Sequence, residues 1–325
     1  MTKGLFGFTF SAMLLALCSF AEAQQSKKIP RIGYVSVSGD AKNPGRFVEA
    51  FRQGLRDIGY IEGKNIVVEY RYPGSQPELV PGFVAELVQL KVDILVSSST
   101  GALRAAKEAT KTIPIVMITS QDPVATGMVE SLARPGGNIT GVTRLTQELS
   151  GKRLELFKEV VPQISRVGIL AGIGSSSLPA YEPVANALKI SLDLFEVGDP
   201  SVDLAGAFQT MLKKRLNGLI TVGSRRINPG RKQILEFVAK NRLPSMFEVS
   251  SWVDSGGLVS YSADDLAAFR RAAVFVDKIL KGTKPADLPV EQPQKFEFVI
   301  NLKTAKQIGL TVPPNVLARA DRVIK

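Results

Sequence analysis

The chain has 325 residues, 45% of them hydrophobic, and this is enough to build two globular cores. With no histidine, and with Cys18 as its single cysteine, the sequence excludes Ser-His-Asp and Cys-His catalysis as well as histidine-based metal sites. The net charge of +11 would suit nucleic acid, but the basic residues are scattered among acidic ones, so we expect a solvated surface and no nucleic-acid partner.

The first 23 residues have the layout of a secretory signal peptide. A cationic start at Lys3 precedes an apolar stretch, and Ala21-Glu22-Ala23 supplies small residues at the predicted cleavage site. The apolar stretch is shorter than the ~20 residues that a membrane-spanning helix needs. Leu17 stands before Cys18, where a lipoprotein signal has a small residue, so we expect simple cleavage. The mature protein is predicted to begin near Gln24 and to be periplasmic.

From residue 31 onward, strand and helix patterns alternate. Continuous apolar runs are typical of strands buried on both faces, and apolar residues spaced by three and four are typical of helices packed on a sheet. Strands are predicted at 31–37, 65–72, 92–100 and 113–119. Helical patterns are predicted at 47–58, at 79–90, up to Lys111, and again after Pro123.

A second copy of this layout begins at Arg166, 135 residues after Arg31. Asp93 pairs with Gly218 in this comparison, and the order of patterns is the same. Two similar α/β halves explain this regularity better than one large sheet. Strand patterns recur at 193–197, 217–224 and 243–249, and helical patterns near 181–192, 204–215 and 230–242.

Residues 263–325 are too few for a third domain, so we expect them to return to both halves. Ser262 and Asp265 form a predicted capping box, which starts a helix with an apolar stripe up to Leu280. An extended segment at 296–302 and a short helical tail follow. The predicted fold is α/β, with two doubly wound Rossmann-like lobes. They comprise residues 30–142 plus about 263–295, and residues 143–262 plus about 296–325.

Small polar clusters follow the predicted strands. In open parallel sheets, ligands bind beyond the carboxyl ends of the strands, and two facing lobes would align these ends along one cleft. The candidate ligand-binding residues are Ser36, Ser38, Ser98, Ser99, Thr100, Ser120, Gln121 and Asp122 in the first lobe, and Ser175, Ser176, Ser224, Phe247 and Glu248 in the second.

Several candidates also have an ordinary structural explanation. One hydroxyl at 98–100 is predicted to cap the following helix, and Asp122 before a proline is typical of a turn. In the functional alternative, helix-terminal amides and hydroxyls hold a ligand carboxylate while Asp122 pairs with a ligand ammonium. Phe247, Tyr181 and Trp252 either pack in the core or stack on an apolar ligand.

The sequence offers no cofactor or metal motif. The stretch "GILAGIGSSS" follows a strand, but Ser177 stands where a dinucleotide-binding fingerprint has its third glycine, and Pro179 and Pro183 disturb the helix start. Glu155 and Glu159 lie one helical turn apart and are explained as surface charges. We therefore expect no cofactor, no metal and no catalytic residues.

Five stretches resemble the tryptophan/tyrosine-type family of ABC-transporter substrate-binding proteins, which have the type I periplasmic binding protein fold. They are "VEAFRQGLRDIGYIEGKNIVVEYRY", "DPVATGMVESLARPGGNITGV", "KRLELFKEVVP", "SGGLVSY" and "KGTKPADLPVEQPQKFEFVINLKTAKQIGLTVPPNVLARADRVI". The resemblance covers essentially the whole mature chain. It implies two lobes, joined by a three-crossover hinge, that close over a small molecule and deliver it to membrane permease subunits.

The resemblance is uneven across the predicted pocket. Asp122-Pro123 matches the family pattern, whereas Gly172-Ile173, Ser175-Ser176 and Ser224 depart from it. We expect a monomeric, exported solute-binding protein of an ABC importer, with an amino acid or related compound as ligand, aromatic ones included. Two alternatives stay open: a ligand-sensing subunit for a membrane receptor, and an exported enzyme that uses carboxylates alone.

Overall fold

Two β-sheets, each covered by helices on both faces, organise the chain. The computed structural model describes residues 28–36, 39–74, 76–144, 148–173, 178–223, 226–293 and 295–325. The first sheet contains β1 (Arg31–Val35), β2 (Val67–Arg71), β3 (Ile94–Ser97), β4 (Ile115–Thr119) and β5 (Ile139–Thr143). The second contains β6 (Arg166–Gly172), β7 (Ser191–Val197), β8 (Gly218–Thr221), β9 (Ser245–Phe247), β10 (Val259–Ala263), β11 (Phe296–Asn301) and β12 (Arg322–Ile324).

The helices of the described residues divide between these sheets. Those on the first sheet are α1 (Gly45–Asp57), α2 (Val80–Gln89), α3 (Thr100–Ala109) and α9 (Asp265–Leu280). Those on the second are α4 (Ser150–Val160), α5 (Leu178–Ala187), α6 (Pro200–Lys213), α7 (Arg231–Lys240), α8 (Ser250–Asp254), α10 (Leu302–Ile308) and α11 (Pro314–Leu317). No helix in this part of the chain is both long and apolar enough to cross a membrane.

Both sheets use one strand order. The first is β2-β1-β3-β4-β5 and entirely parallel. The second repeats it as β7-β6-β8-β9-β10, also parallel, and adds β11 antiparallel to β10, followed by β12. Parallel strands buried on both faces need apolar side chains on both sides, which explains the continuous runs in β1, β3 and β4. The prediction of two doubly wound α/β lobes is confirmed.

The internal repeat extends to individual hydrogen bonds. Asp93 accepts the Arg31 amide through Oδ2 at 2.8 Å, and Asn217 accepts the Arg166 amide through Oδ1 at the same distance. Each side chain thereby anchors the first strand of its lobe to the third. The counterpart of Asp93 is therefore Asn217, and the predicted pairing with Gly218 is wrong by one residue.

The chain passes between the lobes three times. It leaves the first sheet after β5, returns from β10 into α9, and leaves again before β11. Helix α9 belongs to the first lobe, since Phe269, Ala272 and Val276 share a core cluster with Phe51 of α1 and Tyr34 of β1. The polypeptide that enters and leaves α9 is thus part of the hinge between the lobes.

Helix α9 begins differently from the prediction. Asp264 is the N-cap, and its Oδ1 accepts the Ala267 amide at 2.9 Å. Ser262 is not available for a capping box because it lies within β10, where it is paired with Glu297 of β11.

Candidate functional site

The first-lobe candidates lie at the carboxyl ends of adjacent parallel strands. Ser36 follows β1, and its amide donates to the carbonyl of Arg71 at 2.9 Å. The hydroxyl of Ser97, at the end of β3, donates to the Val35 carbonyl at 2.8 Å and accepts the Ser99 amide at 3.0 Å. These bonds hold the carboxyl ends of β2, β1 and β3 together at one edge of the first sheet.

The hydroxyls at 98–100 are in different environments. Ser99 is the N-cap of α3, and its Oγ accepts the Ala102 amide at 3.4 Å, as the capping prediction required. The Oγ atom of Ser98 is buried and has no hydrogen-bond partner among the described residues. Buried hydroxyls are almost always paired because an unmade hydrogen bond is costly. Among residues 98–100, Ser98 is therefore the hydroxyl that is buried without a partner in the described part of the chain, as is Thr221 at the end of β8, while Thr100 is exposed.

The loop after β4 carries Ser120, Gln121 and Asp122. The Gln121 carbonyl accepts the Thr143 hydroxyl of β5 at 3.3 Å, and Ser120 and Gln121 are half-buried. Asp122 is exposed, and its Oδ1 accepts the amides of Val124 and Ala125 at 2.8 and 3.2 Å. Asp122 thus forms the turn that its position before Pro123 predicted.

The helical pattern predicted after Pro123 is wrong. Residues 123–127 form turns that end at Gly127, whose φ is +67°. Asp122 stabilises the first turn through its side chain, and the left-handed glycine then prevents its continuation as a helix.

Four candidates, one in the first lobe and three in the second, cannot be placed. Ser38, Ser175, Ser176 and Ser224 lie outside the described residues. Tyr181, Phe247 and Trp252 are buried in the core, and the Phe247 ring stacks on Trp252 with a centroid distance of 5.0 Å. The core-packing alternative describes all three rings, so Phe247 does not present its ring at the edge of the sheet.

Glu248 follows β9 and forms a buried ion pair. Its Oε1 lies 3.1 Å from Nη1 of Arg153, and its Oε2 accepts the Gly223 amide at 3.2 Å. Arg153 is 0% exposed and Glu248 is 6% exposed. Nε of Arg153 also donates to the Tyr261 carbonyl at 2.8 Å. One charge pair therefore joins α4 to the middle of β10 and to the residues that follow β8 and β9.

Burial and the neighbouring groups shift the pKa of the Glu248 carboxyl in opposite directions. Burial raises the pKa of the Glu248 carboxyl above its usual range, although Arg153 and the Gly223 amide oppose the shift. Burial, together with the Glu248 charge, also raises the pKa of the nearby Tyr181 phenol to about 12. Tyr181 therefore stays neutral beside the pair.

A second ion pair lies at the hinge. Arg144 follows β5, Asp265 begins α9, and their side chains meet at 2.7 Å. Both lie on segments that connect the lobes, and both also act on the pKa of Glu248. Charge interactions thus extend from the hinge into the second lobe.

Sequence reasoning missed four arginines that have partners at the hinge, across the lobes or within the second lobe: Arg144, Arg46, Arg153 and Arg231. Only Arg153 has a signal in the sequence. It shares the apolar face of α4 with Leu154 and Phe157, and a cation on such a face requires a buried partner. The other three have no such signal: Arg46 contacts the opposite lobe, Arg144 meets Asp265 at the hinge, and Arg231 contacts Ser251 of its own lobe.

Two surface depressions lie away from the strand ends. One, of about 260 Å³, is lined by Lys107, Gly127, Pro135 and Ile139, at the edge where β5 begins. The other, of about 470 Å³, is formed by 132–133 and 289–293 beside β5. Neither includes a candidate ligand-binding residue.

Two doubly wound lobes that are joined by three chain segments, with polar residues after the strands, are the architecture of a bilobed small-molecule-binding protein. The family model described as "ABC transporter substrate binding protein" matches residues 34–324, and the chain belongs to this family. It therefore serves an ABC transporter as its substrate-binding protein, and such proteins are typically extracytoplasmic.

Individual relatives are distant in sequence but similar in fold. The chain is 25% identical over 287 residues to a "Tyrosine-binding protein" of Clostridioides difficile, covering 88% of this chain and 82% of the relative. A structure from Streptococcus pneumonia, described as an ABC domain in complex with L-Trp, has a TM-score of 0.80 at 24% identity, covering 91% and 99% of the two chains. A conserved domain protein of Vibrio cholerae has a TM-score of 0.80 at 26% identity, with 91% and 100% covered.

Proposed function

We propose that this protein is exported through its N-terminal signal peptide, captures an amino acid or a related compound between its lobes in the periplasm, and delivers it to the permease. An aromatic amino acid is the first candidate, in line with the name of the tyrosine-binding relative. The lobes comprise residues 30–142 plus about 263–295, and residues 143–262 plus about 296–325. The protein acts as a monomer and catalyses no reaction.

The observation that carries this proposal is the placement of Ser98 and Asp122 in the first sheet. They follow β3 and β4, which are adjacent parallel strands, so both lie at one edge of the first sheet. Ser98 has a buried hydroxyl with no partner in the described chain, and Asp122 supplies a carboxylate. A hydrogen-bond donor beside a carboxylate suits a zwitterion, whose carboxylate and ammonium groups are close together.

Closure of the lobes completes the site. A ligand that contacts both lobes binds the closed arrangement better than the open one, and so shifts the equilibrium toward closure. Arg144 and Asp265 hold two hinge segments together during this motion. Glu248, held in place by Arg153, lines the second-lobe side of the proposed site. Phe247 is not among the proposed ligand contacts because its ring is buried.

Glu248 also weighs against the carboxylate-enzyme alternative. A general acid or base must reach its substrate, but both oxygens of Glu248 already interact with Arg153 and Gly223. The sensing alternative uses the same ligand site and differs only in the membrane partner.

The test is thermal unfolding of the purified protein with L-tyrosine, L-tryptophan, other amino acids and sugars. A ligand at 100 times its Kd adds about 2.7 kcal/mol to the free energy of unfolding. We expect a shift with amino acids and none with sugars, and calorimetric titration would then give the Kd. A shift confined to sugars, or turnover of any compound, would contradict the proposal.

Replacing Asp122 with asparagine separates its two roles. Asparagine keeps an oxygen acceptor for the Val124 and Ala125 amides but removes the charge, so the turn should persist. If Asp122 pairs with the ligand ammonium, Asp122→Asn should weaken binding tenfold or more, because a charged hydrogen bond contributes roughly 1.5–3 kcal/mol. The measurement is the Kd of the amino acid identified above.

Asp203→Asn is the matched control. Oδ2 of Asp203 accepts the amides of Gly198 and Asp199 at 2.7 and 2.8 Å, which is similar turn chemistry at the edge strand of the other lobe. The Kd of the Asp203→Asn protein for the amino acid should equal that of the unmodified protein. Equal Kd values for Asp122→Asn and Asp203→Asn would remove Asp122 from the ligand site.

A further inference from the structure

Two arginines from opposite lobes converge on one hydroxyl. Nη2 of Arg46, on α1 of the first lobe, lies 3.3 Å from Oγ of Ser251, on α8 of the second. Nη2 of Arg231, on α7, lies 3.4 Å from the same oxygen. Because the two contacts share an atom, the two nitrogens are at most 6.7 Å apart, the sum of 3.3 and 3.4 Å. This is a direct side-chain contact between the lobes.

Each guanidinium rests on an aromatic ring of its own lobe. The centre of the Arg46 guanidinium lies 4.8 Å from the Phe47 ring, and that of Arg231 lies 5.0 Å from the Trp252 ring. Phe47 in turn stacks on Phe269, and Trp252 on Phe247. A ring behind a guanidinium orients it and leaves its N–H edge available for a planar acceptor.

Neither arginine has a carboxylate partner among the residues that the structure describes, although seventeen other ion pairs are formed there. Arg46 is exposed, and Arg231 and Ser251 are half-buried. Burial and the charge of Arg46 lower the pKa of Arg231. The two cations therefore repel each other across the gap without a neutralising side chain.

We propose that Arg46, Arg231 and Ser251 form an oxyanion-binding subsite that spans the two lobes and takes a carboxylate or a phosphate group. Two guanidinium forks offer parallel N–H donors to the oxygens of such a group, and the Ser251 hydroxyl offers another. An anion held by both arginines removes their repulsion and links the lobes, so its binding favours closure.

The oxyanion has two sources that differ in their consequences. It is either a free inorganic anion, which binds whatever the transported ligand is, or an acidic group of the ligand itself. The second source rests on the proposed function, whereas the first does not. Two titrations distinguish them.

In the first titration, inorganic phosphate is added to the purified protein at constant ionic strength, balanced with sodium chloride, and the Tm is followed. The variants are Arg46→Gln and Arg231→Gln, which keep a polar side chain but lose the charge. The control is Arg104→Gln, because Arg104 is exposed on α3, outside the subsite. Saturable stabilisation that either subsite variant weakens at least tenfold in Kd, and that the control retains, assigns the site to a free anion.

In the second titration, the Kd of the amino-acid ligand is compared with that of its carboxamide. Because Ser98 is also proposed to donate to the ligand carboxylate, the carboxamide is expected to bind more weakly in every variant. A carboxylate shared with the subsite predicts that Arg46→Gln and Arg231→Gln reduce this difference at least tenfold, whereas Arg104→Gln leaves it unchanged. The proposal is overturned if neither subsite variant changes the binding of phosphate or of the carboxylate relative to Arg104→Gln. If no amino acid binds, the phosphate titration alone tests the subsite.

Discussion

Replacing Arg153 with alanine is expected to lower the free energy of unfolding by about 3–5 kcal/mol, the usual cost of removing one partner of a buried ion pair. The expected loss is large because the remaining Glu248 carboxylate would be 6% exposed and without its cation. The Tyr261 carbonyl would also lose the Nε–H of Arg153 as a donor. Urea unfolding of the two proteins measures the difference.

Two comparisons make this result specific. Arg319 pairs with Glu159 at 2.5 Å, but their side chains are 50% and 35% exposed to water, so Arg319→Ala should cost at most about 1 kcal/mol. The double variant Arg153→Met with Glu248→Gln removes both charges, keeps an acceptor for the Gly223 amide, and should recover much of the loss. An Arg153→Ala protein as stable as Arg319→Ala would show that Glu248 can reach water.

The free energy of unfolding lost in Arg153→Ala should also depend on pH. Burial raises the pKa of Glu248 in the folded protein, so between the unfolded and folded values the folded state binds more protons. A raised carboxyl pKa contributes stability below the unfolded value, and this contribution is lost as the pH rises through the folded value. Arg153 lowers the pKa of Glu248, so removing Arg153 raises this pKa further above its value in the unfolded chain. The cost of Arg153→Ala should therefore be smaller near about pH 5 than near about pH 7.5.

Local patterns predicted the lobes well because parallel strands buried on both faces leave continuous apolar runs. The same patterns overextended the strands. The run at 31–37 ends as β1 at Val35, and the run at 92–100 ends as β3 at Ser97, because Ser99 already caps helix α3. After Pro123, the side chain of Asp122 and the conformation of Gly127 override the helical spacing.

The candidate site was predictable only in part. Strand-end position singled out Ser98, Asp122 and Glu248 as candidates, because the carboxyl edge of a parallel sheet follows from topology alone. Arg153 was not among the candidates, although its helical spacing puts it beside Leu154 on the buried face of α4. No local signal connects Arg46 with Ser251, which are 205 residues apart and meet only through the packing of the lobes.

Replacing Gly54 with alanine is expected to destabilise the protein by about 1–3 kcal/mol or more, the cost of inserting atoms into a packed interface. Gly54 lies on α1 where this helix crosses α9. A Cβ atom there would lie 2.5 Å from the Arg270 carbonyl oxygen and 2.8 Å from its Cα. Because these are backbone atoms, no side-chain rotation relieves the clash, and α9 itself must move. Urea unfolding measures the loss.

Gly82→Ala is the matched control, since Gly82 lies in helix α2 of the same lobe and a Cβ atom there meets nothing within 4 Å. Alanine in this open helical position should stabilise the protein by about 0.4–1 kcal/mol. The two variants should also differ in function. Helix α9 begins at Asp265, which holds Arg144 at the hinge, so its displacement by Gly54→Ala should weaken ligand binding as well as stability. Equal stabilisation by both alanines would mean that α1 and α9 are not in backbone contact, and that α9 does not fix the hinge through this crossing.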